Sequence, residues 1–289
     1  MSASASVYSA FFYVPSLASG IAFITVFSVF LAIHILTSLR YLQPRFFLYW
    51  GLGLIAEVIA YAGRIWVTKS GGQLSSAFIM EYVTISIAPS LLLTALYHTA
   101  SQVYTVFNEE FLILDAKYFM KYLISFNIIS GAIQGSGGGI LSNYTSADVT
   151  GNKGLQLMVA GLSLQVVSLL IFQTVWYIFL VRVYNSNKVY GDAQFCEQYH
   201  NVRERKYIYY FLATFSWAIL YIFIRTIYRL VEMSNGLASK LATREIYFNV
   251  LDGMMIALAC FCITLLPPHF VFGDNNAKKA NAMAKRDMS

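Results

Sequence analysis

The chain reads as an all-α, polytopic membrane protein: a seven-transmembrane-helix bundle with its N-terminus outside and its C-terminus in the cytosol. Three observations predict this. The composition is 58% hydrophobic and only 12% charged, against about 25% charged in soluble domains, which is more apolar surface than a water-soluble fold can hide. The apolar residues fall into seven stretches, each near the ~20 residues that span a bilayer. Lys and Arg gather in alternate loops, as the positive-inside rule requires.

The first span is placed at Tyr13–Leu39 and ends at Gln43-Pro44-Arg45. The second covers Phe46–Trp66, with Tyr49, Trp50 and Trp66 near its ends as an interfacial belt. Lys69-Ser70-Gly71-Gly72 follows as a break. The third, Glu81–Val106, carries Ala88-Pro89-Ser90, where a proline kink is expected. The fourth, Tyr122–Leu141, holds the run Gln134-Gly135-Ser136-Gly137-Gly138-Gly139. The fifth spans Leu155–Leu180, the sixth Tyr207–Val231, and the seventh Tyr247–Leu266, which Pro267-Pro268 stops. No linker interrupts the series. Residues 1–12 are read as a short extracellular tail, 13–267 as one transmembrane domain and 268–289 as a basic cytosolic tail.

Orientation follows from the loops. One side collects Arg40, Arg45, Lys117, Lys121, Arg182, Lys188, Arg203, Arg205, Lys206, Lys278, Lys279, Lys285 and Arg286, while the other has only Lys69, Lys153, Lys240 and Arg244. The first side is therefore cytosolic. The sequon Asn143-Tyr144-Thr145 falls on the opposite side, as a glycosylation acceptor must. With no basic n-region before it, the first span is expected to act as an uncleaved signal-anchor. Cys196, Cys260 and Cys262 form no disulfide framework and are read as reduced.

Charges inside the spans narrow the function. Each costs about 2.5–3.5 kcal/mol to place at the bilayer centre, so retained ones have a role. Glu57, Tyr61 and Arg64 are spaced i, i+4, i+7 and share a helix face. Arg225, Arg229 and Glu232 repeat that spacing on the sixth span, with Tyr228 adjoining, and Glu245 and Asp252 stand seven apart on the seventh. Turned inward, the stripes bring Arg225 and Arg229 onto Glu57 and Asp252. Two readings remain open: a buried ionic network that fixes helix register, or a polar cavity for a charged head group. A second, neutral group pairs Gln134 and its glycines with Ala160-Gly161-Leu162-Ser163-Leu164-Gln165. It suits close helix packing, or a broken helix beside a cavity.

Enzyme chemistry has no signature here. His34, His98, His200 and His269 stand apart, so no histidine box or metal site forms. The glycine run lacks the Lys-Ser/Thr of a phosphate loop. No catalytic residue, metal, cofactor or nucleic-acid partner is expected, and ATP does not drive any transport.

These residues resemble the fungal RTA-like, or lipid-translocating exporter, family. The likeness runs from Tyr13–Pro15 to Pro267. It is carried by Glu57-x-x-x-Tyr61-x-x-Arg64, Ala88-Pro89-Ser90 with Tyr97, Gln134, Gly161-Leu162 with Gln165, Arg225-x-x-Tyr228-Arg229-x-x-Glu232, and Glu245 with Asp252. Gln102 and Asn127 depart from it, standing where the family commonly has Arg and Asp. The resemblance implies a seven-span protein handling amphipathic lipids of the sphingoid long-chain-base, sterol or porphyrin class. It implies the plasma membrane first, with the endoplasmic reticulum or vacuole as alternatives. Membrane lipids and an amphipathic small molecule are the expected partners. The mechanism expected is that Glu57 and Asp252 receive a cationic head group, with Arg225 and Arg229 balancing the empty site. A lipid-responsive receptor or regulator has the same layout, and the loop Arg182–Lys206 would then dock a cytosolic protein.

Overall fold

The computed structural model describes residues 15–38, 44–70, 75–108, 111–112, 116–141, 153–190, 207–236, 239–268 and 270–272. These form seven helices and no strand among the described residues. They are α1 (Leu17–Ser38), α2 (Pro44–Lys69), α3 (Ser75–Phe107), α4 (Ala116–Leu141), α5 (Lys153–Tyr190), α6 (Tyr207–Ser234) and α7. The last is composite: an α-turn Glu245–Phe248, a π-helical stretch Asn249–Met254 and an α-helix Met255–Leu265. Asn143, Cys196 and loop residues 191–206 lie outside the described residues.

Six helices are long and apolar enough to cross a membrane by length and composition. α4, at 26 residues, is long enough but not as apolar, because Asn127, Ser130, Gln134 and five glycines dilute it. Asn127, Ser130 and Gln134 are fully buried against α3 and α5, while Tyr122, Phe126 and Ile129 cover its outer face. A helix can cross with polar groups on one face when neighbouring helices satisfy them. Seven crossings follow.

Consecutive helices pack side by side, and α7 returns to α1, so the bundle closes into a ring with α3 also touching α6. α3 is the most enclosed helix and α1 the most lipid-facing. The α4–α5 contact is close because glycines permit it: a Cβ on Gly137 would sit 2.7 Å from Met158 Cγ, and one on Gly161 2.8 Å from Gln134 Cγ. α4 stays helical to Leu141, so the glycines serve packing rather than a break. α3 likewise continues through Pro89.

Two expected ends move. α5 continues past Leu180 to Tyr190, so the first nine residues of the supposed docking loop are helix. Beyond Pro267, the chain still packs on the bundle, with Phe272 5.5 Å ring to ring from Phe211 and Phe270 5.8 Å from Tyr207. Cys260 and Cys262 are free thiols on α7, the first fully buried. His34 donates from Nε2 to the Phe47 carbonyl at 3.1 Å, tying α1 to α2.

Candidate functional site

The charged residues collect where α2, α3, α6 and α7 converge, in the half of the bundle that the loop charges assign to the outside. They form two layers. Near the end of the bundle Arg64 reaches Glu81 of α3 at 2.7 Å and Glu245 of α7 at 3.3 Å. Its guanidinium lies 4.2 Å over the Phe248 ring. Glu245 also accepts from the Ser16 backbone N–H and the Ser19 hydroxyl, both at 2.8 Å, and so pins the start of α1 to α7.

About two turns deeper, Arg225 Nε approaches Asp252 Oδ1 at 2.6 Å, and Arg229 Nε lies 3.9 Å from the same oxygen. Arg229 is further held by Glu232 at 2.7 Å, which also accepts from Tyr228 at 3.2 Å. Arg225 donates through Nη2 to the Ile85 carbonyl of α3 at 2.7 Å. That carbonyl is available for a local reason: four residues on stands Pro89, which has no N–H to return to it.

Glu57 differs from every other acid in the cluster. It is 2% exposed, forms no ion pair among the described residues, and its Oε1 has no hydrogen-bond partner. The expected meeting of both arginines with both acids is therefore only half realised: Asp252 takes the arginines and Glu57 stands apart. Tyr61, one turn above it, stacks on Phe23 at 5.1 Å and Phe27 at 5.5 Å, leaving its hydroxyl without a hydrogen bond. Arg225 Nη1 and Arg229 Nη2 also have no hydrogen-bond partner. Buried polar atoms are seldom left so.

The seven-residue spacing of Glu245 and Asp252 suggested a single stripe, but they serve different layers. Seven residues are about two turns of helix, so one face carries them at different depths, and the stretch around Asp252 is π-helical. Glu81 is the residue that sequence reading missed. A charge at the start of the third span was visible, but its partner lies on another helix and no spacing rule reports that.

Gln134 and Gln165 form a separate, neutral network. Gln134 donates to Gln165 at 2.8 Å and to Ser130 at 3.0 Å, and Gln165 donates to Ser90 at 3.3 Å. Asn127 donates to the Ser90 carbonyl and the Thr94 hydroxyl. An Asp at 127 could not make the first of these bonds, since a carboxylate offers no donor. These groups are mostly satisfied by one another and hold α3, α4 and α5 together. No group of His, Cys, Asp and Glu among the described residues could hold a metal.

Comparison with known proteins agrees with this architecture. The chain is 29% identical over 283 residues to the sphingoid long-chain base transporter RSB1 of Saccharomyces cerevisiae, covering 90% of this chain and 73% of that protein. It is 26% identical over 214 residues to protoporphyrin uptake protein 1 of the same yeast, covering 73% of this chain and 65% of that one. Protein RTM1 of Saccharomyces cerevisiae is 25% identical over 218 residues, covering 75% and 63%. None of these names denotes an enzyme. No solved structure matches. A family model described as RTA1 like protein matches residues 50–275, which takes in every residue of both charged layers from Glu57 to Asp252. The chain belongs to the RTA1-like protein family.

Proposed function

We propose that this chain translocates amphipathic lipids or lipid-like molecules across its membrane without ATP. The substrate class is that of sphingoid bases, sterols or porphyrins. Two relatives are named for such traffic, one for sphingoid long-chain bases and one for protoporphyrin uptake. One observation carries the reading: Glu57, buried among helices and without a counter-ion, beside a cluster whose other charges are paired. An acid so placed favours a cationic head group, and thus the sphingoid bases over neutral sterols. Asp252, Arg225, Arg229 and Glu232 frame the site, Tyr61 and Tyr228 offer hydroxyls, and Arg64 with Glu81 and Glu245 holds its outer rim. The apolar tail stays in lipid between helices. The plasma membrane is the compartment this role fits best.

The test is leaflet-to-leaflet movement of a fluorescent long-chain base in liposomes containing the purified protein. Wild type is expected to speed movement at least tenfold over protein-free liposomes, and Glu57→Gln to lose most of that gain at matched thermal stability. Saturable binding without movement would overturn translocation and turn the reading toward a lipid-responsive regulator.

A further inference from the structure

The inner layer carries one acid more than it has bases. Arg225 and Arg229 supply two positive charges; Asp252, Glu232 and Glu57 supply three acids, all buried. Asp252 and Glu232 answer the two arginines at 2.6 and 2.7 Å; among the described residues the one further ion pair of these five is Arg229 with Asp252 at 3.9 Å. The surplus falls on Glu57. No element packed around it supplies a free compensating charge among the described residues. On its own helix, Tyr61 is neutral and Arg64 is engaged by Glu81 and Glu245. From α6 come Arg225 and Arg229, both committed, and from α7 Asp252 and the thiol of Cys260. α3 offers Glu81, already held by Arg64. α1 presents the rings of Phe23 and Phe27 beside Tyr61.

An isolated carboxylate in such a place is far less stable than a neutral acid or a paired ion. Only two occupants restore the balance: a proton on Glu57, or one monovalent cation beside it. We propose that Glu57 alternates between these, making the protein an electroneutral exchanger of one proton for one cationic head group. The inference rests on the translocator reading and supplies its driving force. In the exchange the Glu57 O–H bond breaks, the proton passes to water on the side the site then faces, and the carboxylate pairs with the incoming ammonium. On release the steps reverse, a proton replaces the cation, and no electrons move. The bound layer and the empty layer carry the same net charge. The pair of occupied states therefore crosses the membrane without electrical work.

An ordinary long-chain amine would follow a pH gradient by itself, crossing as the free base. The probe is therefore an N,N,N-trimethylated sphingoid base, which is permanently charged, with pyranine inside the liposomes to report protons. If Glu57 exchanges, an inside-acid gradient drives probe uptake at least tenfold above a pH-matched control, with one proton leaving per probe entering. A potassium–valinomycin potential then has no effect on the rate. Glu57→Gln, checked for an unchanged melting temperature, loses the response to the pH gradient. Uptake that follows the potential and ignores the gradient would overturn the exchange while leaving translocation intact. No probe movement under either condition, with the plain long-chain base also unmoved, would overturn both.

Discussion

Two buried acids of the inner layer, Asp252 and Glu57, have opposite energetic roles. Asp252 is the nearest counter-ion of Arg225 at 2.6 Å, so its removal strands a guanidinium in the interior. Breaking a buried pair from one side costs about 3–5 kcal/mol. Asp252→Asn is therefore expected to lower the melting temperature sharply. Glu57→Gln removes no partner and takes away a surplus acid, so its stability should stay within about 1 kcal/mol of wild type or rise. Thermal unfolding in detergent, followed by tryptophan fluorescence, compares the two. If Glu57→Gln falls as far as Asp252→Asn, Glu57 belongs to the ionic network and the proposed site fails. The contrast also makes Glu57 the better probe of transport, since an inactive Asp252→Asn would not separate a lost site from a lost fold. Sequence spacing could name both acids because each shares a face with charged neighbours on its own helix. It could not rank them, since which acid meets which arginine is settled between helices.

At the scale of the element, α7 decides the site. Glu245 and Asp252, about two turns apart along it, meet Arg64 and Arg225 respectively, and Asp252 sits within the π-helical turn Asn249–Met254. Nothing in residues 249–254 announces a π-turn, because its register is imposed by the contacts on either side. Gly253 is one of those contacts. A Cβ there would collide with the Tyr61 hydroxyl and lie 2.8 Å from Phe23 Cζ. Gly253→Ala is expected to cost about 1–3 kcal/mol as an overpacked position. Tyr61→Phe removes the hydroxyl in the way, so the double variant should regain part of that loss. Melting temperatures of the four proteins in the cycle report it. Strict additivity would mean that α7 does not press on Tyr61 and that the two layers are not joined there. The spans themselves were plain in the sequence, since apolar length is a property of each segment alone. The end of α5 was not, because its last turns at Arg182–Tyr190 are polar enough to read as loop.

Taken whole, the bundle is divided along its axis. Arg64, Glu81, Glu245, Arg229, Glu232, Asp252 and Glu57 occupy the half that contains the start of α3 and of α7. The opposite half is filled with packed aromatics, Tyr104, Phe107, Phe172, Trp176, Phe179, Phe211 and Phe215, all buried, most meeting at tilted or edge-on angles. The aromatic layer separates the charged half from the opposite end of the bundle. Which side the charged half faces depends on the orientation read from the Lys and Arg bias, and that bias can be tested directly. Lys240 lies exposed in the turn between α6 and α7, on the charged side, and Lys188 lies exposed on the last turns of α5, on the aromatic side. Each is replaced by Cys in a chain whose Cys196, Cys260 and Cys262 are already serine. A membrane-impermeant maleimide applied to intact cells should label Lys240→Cys within minutes and reach Lys188→Cys only after the membrane is permeabilised. The reverse pattern would place the charged half toward the cytosol, and the site would then load from within the cell. Proton exchange at Glu57 would survive that reversal, since charge balance does not depend on direction, but import and export would trade places.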